Sequence, residues 1–225
     1  MNFLSFFPVV FFLFLTALQA AEFTCAFTPG AWQMEDWIQV KSPRWDYWGS
    51  WQQEDDHIRN LVPVDASEQE MLGKRAGETY TSMLWRQKIA GSKKVVIQAE
   101  LSFDDQMAPL LVIAPDYGKD GTGRPEYREH WEIVIYDKGL NVWHHQYADG
   151  KPSWYKAAAL KTNFSPKEKL LLVLSINFSG RVPQLEISSG GQTFSYAELQ
   201  LPNTFYVGLT ACEGVNRFYN FSVKF

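Results

Sequence analysis

The stretch YREHWEIVIYDKGLNVWHHQY, residues 127–147, decides how the chain is read. Two runs of alternating character flank a turn signal, Asp137-Lys138-Gly139. Successive strand residues point to opposite faces. Arg128, His130, Glu132, Val134 and Tyr136 therefore share one face, and Glu129, Trp131, Ile133 and Ile135 share the other. The apolar set is predicted to meet the core. The ionisable set must look at solvent or into a groove. Arg, Glu and His on a solvated face often do no more than pair with each other. Solvated faces seldom mix two histidines with Trp and Tyr, so a groove is the better reading.

Pairing the two runs sets the composition of that groove. A two-residue turn at Lys138-Gly139 puts residue 136 opposite 141, 134 opposite 143, 132 opposite 145 and 130 opposite 147. Asn141, Trp143, His145 and Tyr147 then join the polar face, with His130 beside Tyr147 and Glu132 beside His145. A one-residue bulge at Gly139 would flip the second strand and bring His144 and Gln146 to that face instead. The first register is preferred because it gathers Trp143 and Tyr147 with the histidines.

Strand signals continue on both sides. WGSWQQEDDHIRNLV (48–62) reads as a hairpin with an acidic turn at Asp55-Asp56. KKVVIQAELSFDD (93–105) puts Val95, Ile97, Ala99, Leu101 and Phe103 on one face. TYTSMLWRQKI, APLLVIAPDYG, SWYKAAAL, EKLLLVLSINFSG, VPQLEISS, QTFSYAEL, TFYVGLTAC and NRFYNFSVKF follow the same habit, with Gly, Asn, Asp or Pro between nearly every pair. Helical patterning is scarce: residues 67–75 read as a short helix or loop, and SYAELQLP (195–202) is a weak helix candidate. Many short strands at this spacing predict an all-β, two-sheet antiparallel sandwich of the jelly-roll kind.

The bulk numbers agree. The chain has 225 residues, 46% hydrophobic, enough for one large all-β domain with a sizeable core. Aromatic residues make up 16%, including nine Trp, which suits strands and also flat surfaces for sugar rings. The net charge of −4, with no basic run, argues against a nucleic-acid partner. Arg124 to Lys161 holds six Lys/Arg against five acids and three of the four His, a slightly positive segment in an acidic protein. That balance points weakly to an anionic ligand.

Residues 1–21 form an apolar run ending in small residues and read as a signal peptide, although the usual positive start is missing. The mature domain is then 22–225, secreted or periplasmic, free of the membrane after cleavage and expected to be a monomer. Cys25 and Cys212 lie near the two ends of that domain, and export permits a disulfide between them. Two free buried thiols are the alternative.

Two segments carry a family resemblance. WQQEDDHIRN (51–60) resembles the early hairpin of concanavalin A-like lectin/glucanase jelly rolls, in which a Trp, an acidic turn and an Ile follow in that order. Those proteins more often place Gly after the Asp, where this chain has Asp56-His57. GLTACEGVNRFYNFSVKF (208–225) is similar to the closing strands of the same superfamily. The resemblance spans most of 22–225. It implies two packed sheets, one concave, with a groove that commonly holds carbohydrate. A structural calcium is common in the superfamily, but this sequence does not locate one. Fold alone does not give function.

Three chemistries suit the groove. Lyase cleavage of an acidic polysaccharide needs a neutraliser for the uronate carboxylate, a base for the C5 proton and an acid for the leaving oxygen. Arg128 and Asn141 would neutralise, His130 or His145 would act as base, Tyr136 or Tyr147 as acid, and Glu132 would orient a histidine. The Arg-Glu-Arg, Gln-x-His and Tyr-Phe-Lys motifs of alginate lyases are absent. A glycoside hydrolase needs two carboxylates roughly 5 Å, or more than roughly 6 Å, apart. Glu126, Glu129 and Glu132 do not reproduce the superfamily's Glu-x-Asp-x-x-Glu, and Glu129 falls on the wrong face. Non-catalytic binding needs only stacking rings, from Trp143, Trp154 and Tyr147, with polar neighbours. DYGKDGTG (116–123) lacks EF-hand spacing and reads as a groove-edge loop from which Tyr117 or Arg124 reaches ligand. The acidic turn at 54–57 could offer metal ligands but is ordinary turn chemistry; no cofactor is expected beyond the structural calcium that the resemblance allows. Lyase action is the leading expectation, with a carbohydrate-binding module second and a hydrolase third.

Overall fold

The computed structural model describes residues 21–65, 76–104 and 108–225. The signal-peptide reading of 1–21 and the helix-or-loop reading of 67–75 lie outside the described residues, apart from Ala21. The described strands are β1 (Glu22–Ala26), β2 (Trp37–Gln39), β3 (Trp51–Gln53), β4 (Ile58–Asn60), β5 (Thr81–Trp85), β6 (Ile89–Ala90), β7 (Lys94–Phe103), β8 (Ala108–Lys119), β9 (Pro125–Tyr136), β10 (Gly139–Ala148), β11 (Lys151–Lys161), β12 (Leu170–Asn177), β13 (Gln184–Ser189), β14 (Gln192–Ala197), β15 (Thr204–Cys212) and β16 (Asn216–Lys224). A single helical turn spans Ala76–Thr79.

These strands form two antiparallel sheets. The first runs β14-β13-β12-β7-β16-β4-β3, with β1 also on β16. The second runs β11-β10-β9-β8-β15-β5-β2, with β6 also on β15. Alternation explains the layering. Val95, Ile97, Ala99, Leu101 and Phe103 of β7 are wholly buried between the sheets, opposite Trp131, Ile133 and Ile135 of β9. Burying each such side chain contributes roughly 1.5–3 kcal/mol. β8 reads as an unbroken apolar run because it is covered on both faces: Leu111 and Ile113 meet the core, while Val112 and Ala114 pack on the outer side with Ile38, Val40, Leu84 and Tyr127.

The 127–147 hairpin has the predicted faces but not the predicted partners. Tyr136 pairs with Gly139, so the turn is Asp137-Lys138. Asn141 faces Val134, Trp143 faces Glu132, and His145 faces His130. The offset from expectation is two residues, which leaves every side chain on its expected face. Gly139 explains it. It opens β10 at φ 144°, and a Cβ there would sit 2.1 Å from the Leu160 carbonyl oxygen of β11. Gly139 is therefore a strand residue at a close approach, and the turn forms before it. The alternative register is excluded, because His144 lies on the core side. A bulge does occur, but in the β10–β11 pairing, where the register shifts between Val142 and Trp143.

Two further expectations are corrected. Residues 195–197 of the weak helix candidate finish β14, which pairs along its length with β13; Phe194 and Tyr196 pack against the core from that edge. Cys25 and Cys212 are both free thiols. Cys25 belongs to the first sheet and the main core. Cys212 ends β15 of the second sheet and packs on its outer side with Ala108, Leu110 and Val134. The chain ends do not bring the two together.

Candidate functional site

The site lies on the outer face of the second sheet, on β9 and β10 beside the Ala108–Leu110 end of β8. His145 and His130 are direct cross-strand partners, and their rings stack with centroids 4.7 Å apart. The stack extends both ways, to Trp154 of β11 at 6.3 Å and to Tyr127 at 4.3 Å. Four rings thus run in a line across three strands. Beneath them, the Tyr127 and Thr210 hydroxyls each lie 2.6 Å from Ser82 Oγ.

Glu132 is the hub. Tyr80 donates its hydroxyl to Glu132 Oε1 at 3.1 Å, and His130 Nε2 lies 3.3 Å from the same oxygen. His145 Nε2 comes within 3.0 Å of Oε2, but no aligned hydrogen bond forms at that nitrogen. This is a close contact between a ring edge and a charge. Burial by itself would raise the Glu132 carboxyl; the His145 and His130 rings outweigh it and hold the acid well below its ordinary range. Burial pushes His130 down to about 4 in spite of the Glu132 hydrogen bond. His130 is therefore a neutral ring at 2% exposure, sealed under His145.

Above this floor opens a pocket of about 340 Å³. Trp45, Trp143 and Trp154 form its aromatic walls, Glu132, Asn141 and His145 its polar floor, and Tyr136, Cys212 and Glu213 one end. A Cβ on Gly77 would overlap the Trp45 ring, so that indole is seated directly on backbone. Burial and the charge of Glu132 raise the Glu213 carboxyl. A second, more polar groove adjoins the pocket through Arg44 and Trp45, which line both. Lys41, Asp120, Arg124, Glu126, Arg128 and Tyr147 border that groove.

The expected residues divide between these places. His145, Tyr136, Glu132, Asn141, Trp143 and Trp154 line the pocket. Arg128 and Tyr147 line the groove instead, with the Arg128 guanidinium 5.0 Å over the Tyr147 ring. Arg128 is also bound to Glu126 at 2.6 Å and to the Lys119 carbonyl at 2.7 Å, which leaves it little capacity to neutralise a ligand in the pocket. Arg124 is held by Asp120 and Asp46. Tyr117 packs against Tyr206, away from both openings. His144 and Gln146 belong to the other face. His144 stacks on Trp131 at 4.2 Å, and its ring nitrogens meet Glu129 Oε1 and the Tyr155 hydroxyl at 2.8 and 2.9 Å. Gln146 Nε2 donates to the same Glu129. Sequence reasoning missed Arg44, Trp45, Tyr80 and Glu213. They lie far from β9 and β10 in the chain, and no periodicity connects them to the site.

Among the described residues, His130, Glu132 and His145 are the group whose ligating atoms gather closely enough to hold a metal, within 4.8 Å of one another. The donor set suits zinc or a related ion. The ring planes, however, lie within 12° of parallel. Lone pairs that lie in two stacked, near-parallel ring planes do not meet at one point.

No family model matches the chain, and no curated protein matches it. Solved structures do. The carbohydrate recognition domain of Emp47p aligns at a TM-score of 0.58 over 92% of this chain and 97% of that one, with 9% identity. Peanut lectin aligns at 0.54 over 92% and 97%, with 11% identity. The carbohydrate-binding module CBM66 from Bacillus subtilis aligns at 0.52 over 83% and 93%, with 11% identity. The likeness is one of fold: this chain is a two-sheet antiparallel jelly roll of the concanavalin A-like type.

Proposed function

We propose that this protein binds carbohydrate in the pocket on the outer face of its second sheet. One observation carries the reading: three indoles wall a cavity of about 340 Å³ whose floor presents a carboxylate, an amide and an imidazole. A sugar ring offers apolar C–H faces to aromatic walls and hydroxyls to polar groups, and that pocket supplies both. The names of the similar folds, a carbohydrate recognition domain, a lectin and a carbohydrate-binding module, support it. The apolar leader supports export, so the ligand would be an extracellular or periplasmic glycan.

Cleavage by elimination is the second reading, and one observation favours it. His145 and Tyr136 line the same pocket, where they could act as base and acid. Against it, His130 is sealed beneath His145, and Arg128 and Tyr147 belong to the adjoining groove.

A glycan array followed by calorimetry tests the first reading. Trp154 is 48% exposed, so Trp154→Ala should leave folding intact and lower affinity about tenfold or more. An array on which no glycan is retained would refute binding. For the second reading, uronate polysaccharides would be monitored for the ultraviolet absorbance of an unsaturated product. A rise abolished in His145→Ala would put cleavage first.

A further inference from the structure

Arg44 is set apart from the other partly buried cations around the site. Lys41 lies 3.4 Å from Glu126 and 3.7 Å from Asp120. Arg124 pairs with Asp120 and Asp46, and Arg128 with Glu126. Arg44 lines both the pocket and the adjoining groove, and no carboxylate of the described residues forms an ion pair with it. Two indoles hold its guanidinium instead: the Trp154 centroid is 4.4 Å away and the Trp45 centroid 4.8 Å. Burial and Glu132 raise the nearby Glu213 carboxyl and outweigh the Arg44 charge, which draws it down, and Glu213 forms no ion pair with Arg44.

The segment is anchored before any ligand arrives. Lys41 N donates to the Pro125 carbonyl, and Tyr127 N to the Lys41 carbonyl. Arg44 N donates to Ser42 Oγ at 3.2 Å, and Trp45 N to the Ser42 carbonyl at 3.3 Å. At the far end, Gln39 Nε2 donates to the Gly49 carbonyl. A guanidinium placed between aromatic faces keeps its donors at its edge, the geometry that takes a carboxylate or sulfate by paired hydrogen bonds. A half-buried cation with no carboxylate in ion-pair contact is costly, and an anionic ligand group at this point would relieve that cost.

We propose that Arg44 is the specificity-determining residue of the site and that the ligand is an acidic glycan. Its carboxylate or sulfate sits on the Arg44 edge while a neighbouring ring stacks in the tryptophan-walled pocket. This rests on the carbohydrate-binding reading. It makes the Arg44–Trp45 pair the junction of two subsites, one for a ring and one for a charge.

The test compares oligoglucuronate, oligogalacturonate and oligoalginate, each beside its carboxyl-reduced counterpart, which keeps rings and linkages but loses the charge. Chondroitin sulfate oligosaccharides, with and without sulfate, separate the two anions. Calorimetry on the full chain should show at least one acidic member binding about tenfold or more tighter than its neutral form. Arg44→Gln should erase that difference, and Arg44→Lys should restore part of it. Rising salt should weaken the acidic ligand only, a readout that needs no variant. Equal affinity for acidic and neutral partners, or a preference that survives Arg44→Gln, would overturn the assignment and leave glycan binding standing. No binding by any member, charged or neutral, would overturn both.

Discussion

His145 lies flat on His130, with centroids 4.7 Å apart and planes within 12°, and both rings turn Nε2 toward the single carboxylate of Glu132. Two imidazoles and one acid thus share a floor that is almost closed to water. The outer ring meets the pocket; the inner ring supports it.

Acid should destabilise this floor. His130 protonates near 6.5 in the unfolded chain and only near about 4 in the fold. Between those values the unfolded state binds more protons, so stability falls as pH drops from about 6.5 to about 4 and is level above. The shift corresponds to about 3 kcal/mol. Glu132, held low, adds a loss in the same direction only below its ordinary range. Urea midpoints at neutral and acidic pH should show a smaller loss for His130→Gln than for the wild type. An equal loss in both would place the proton elsewhere.

Zinc should not stabilise the protein. Parallel imidazoles cannot aim both lone pairs at one ion, and tetrahedral ligation needs convergent donors. A melt with excess zinc is expected to match one with chelator. A rise of several degrees that disappears in His145→Ala would show that the rings turn to bind metal.

Adjacent histidines should give opposite phenotypes. His144 is wholly buried, stacked on Trp131 and bonded to Glu129 and Tyr155. His144→Ala should cost about 2–4 kcal/mol of stability and leave glycan affinity unchanged. His145→Ala should cost less stability and weaken binding. Paired denaturation and binding measurements distinguish the two, and matching profiles would contradict the separation of faces.

Gly208 should tolerate no side chain. A Cβ there would fall 2.0 Å from the Met83 carbonyl oxygen on the neighbouring strand β5. Gly208→Ala should destabilise by about 3 kcal/mol or prevent folding, the upper range of overpacking. Gly30→Ala meets no atom within 4 Å and bears only the strain of φ +84°, so it should cost about 1 kcal/mol. Comparable losses at both positions would show that steric contact is not the cause.

Both thiols should be countable and slow. Burial pushes Cys25 up to about 11, and burial with the Glu213 and Glu132 charges raises Cys212. Thiol titration after denaturation without reductant should find both cysteines free. The native protein should react far more slowly, because little thiolate forms. A mass two hydrogens lighter, with no reactive thiol, would restore the disulfide.

Much of the fold was legible because alternation is a local signal. β7 and β9 announce their inner faces in every second residue, and the sandwich follows from many such strands with turn residues between them. The site was legible where it rides on the same alternation: His130, Glu132, Tyr136, Asn141, Trp143 and His145 fall on the expected face. Cross-strand partners were not legible, since they depended on whether Gly139 sat in the turn or in the strand. The crowding that decides this comes from Leu160, twenty-one residues away. Arg44 and Trp45 were invisible for a similar reason. They belong to a loop with no period, pinned by contacts to Ser42, Pro125 and Gly77 that no pattern encodes.

The placement of His144 and His145 on opposite faces also bears on how this protein can change over generations. A single-residue insertion or deletion between Gly139 and His144 would exchange the two, pushing Trp143 and His145 toward the core and stranding His144 outside. Paired insertions would keep every residue in its medium. Length variation in this hairpin should therefore come in even steps, with odd steps surviving only where a compensating bulge, like the one beside Val142, absorbs the extra residue.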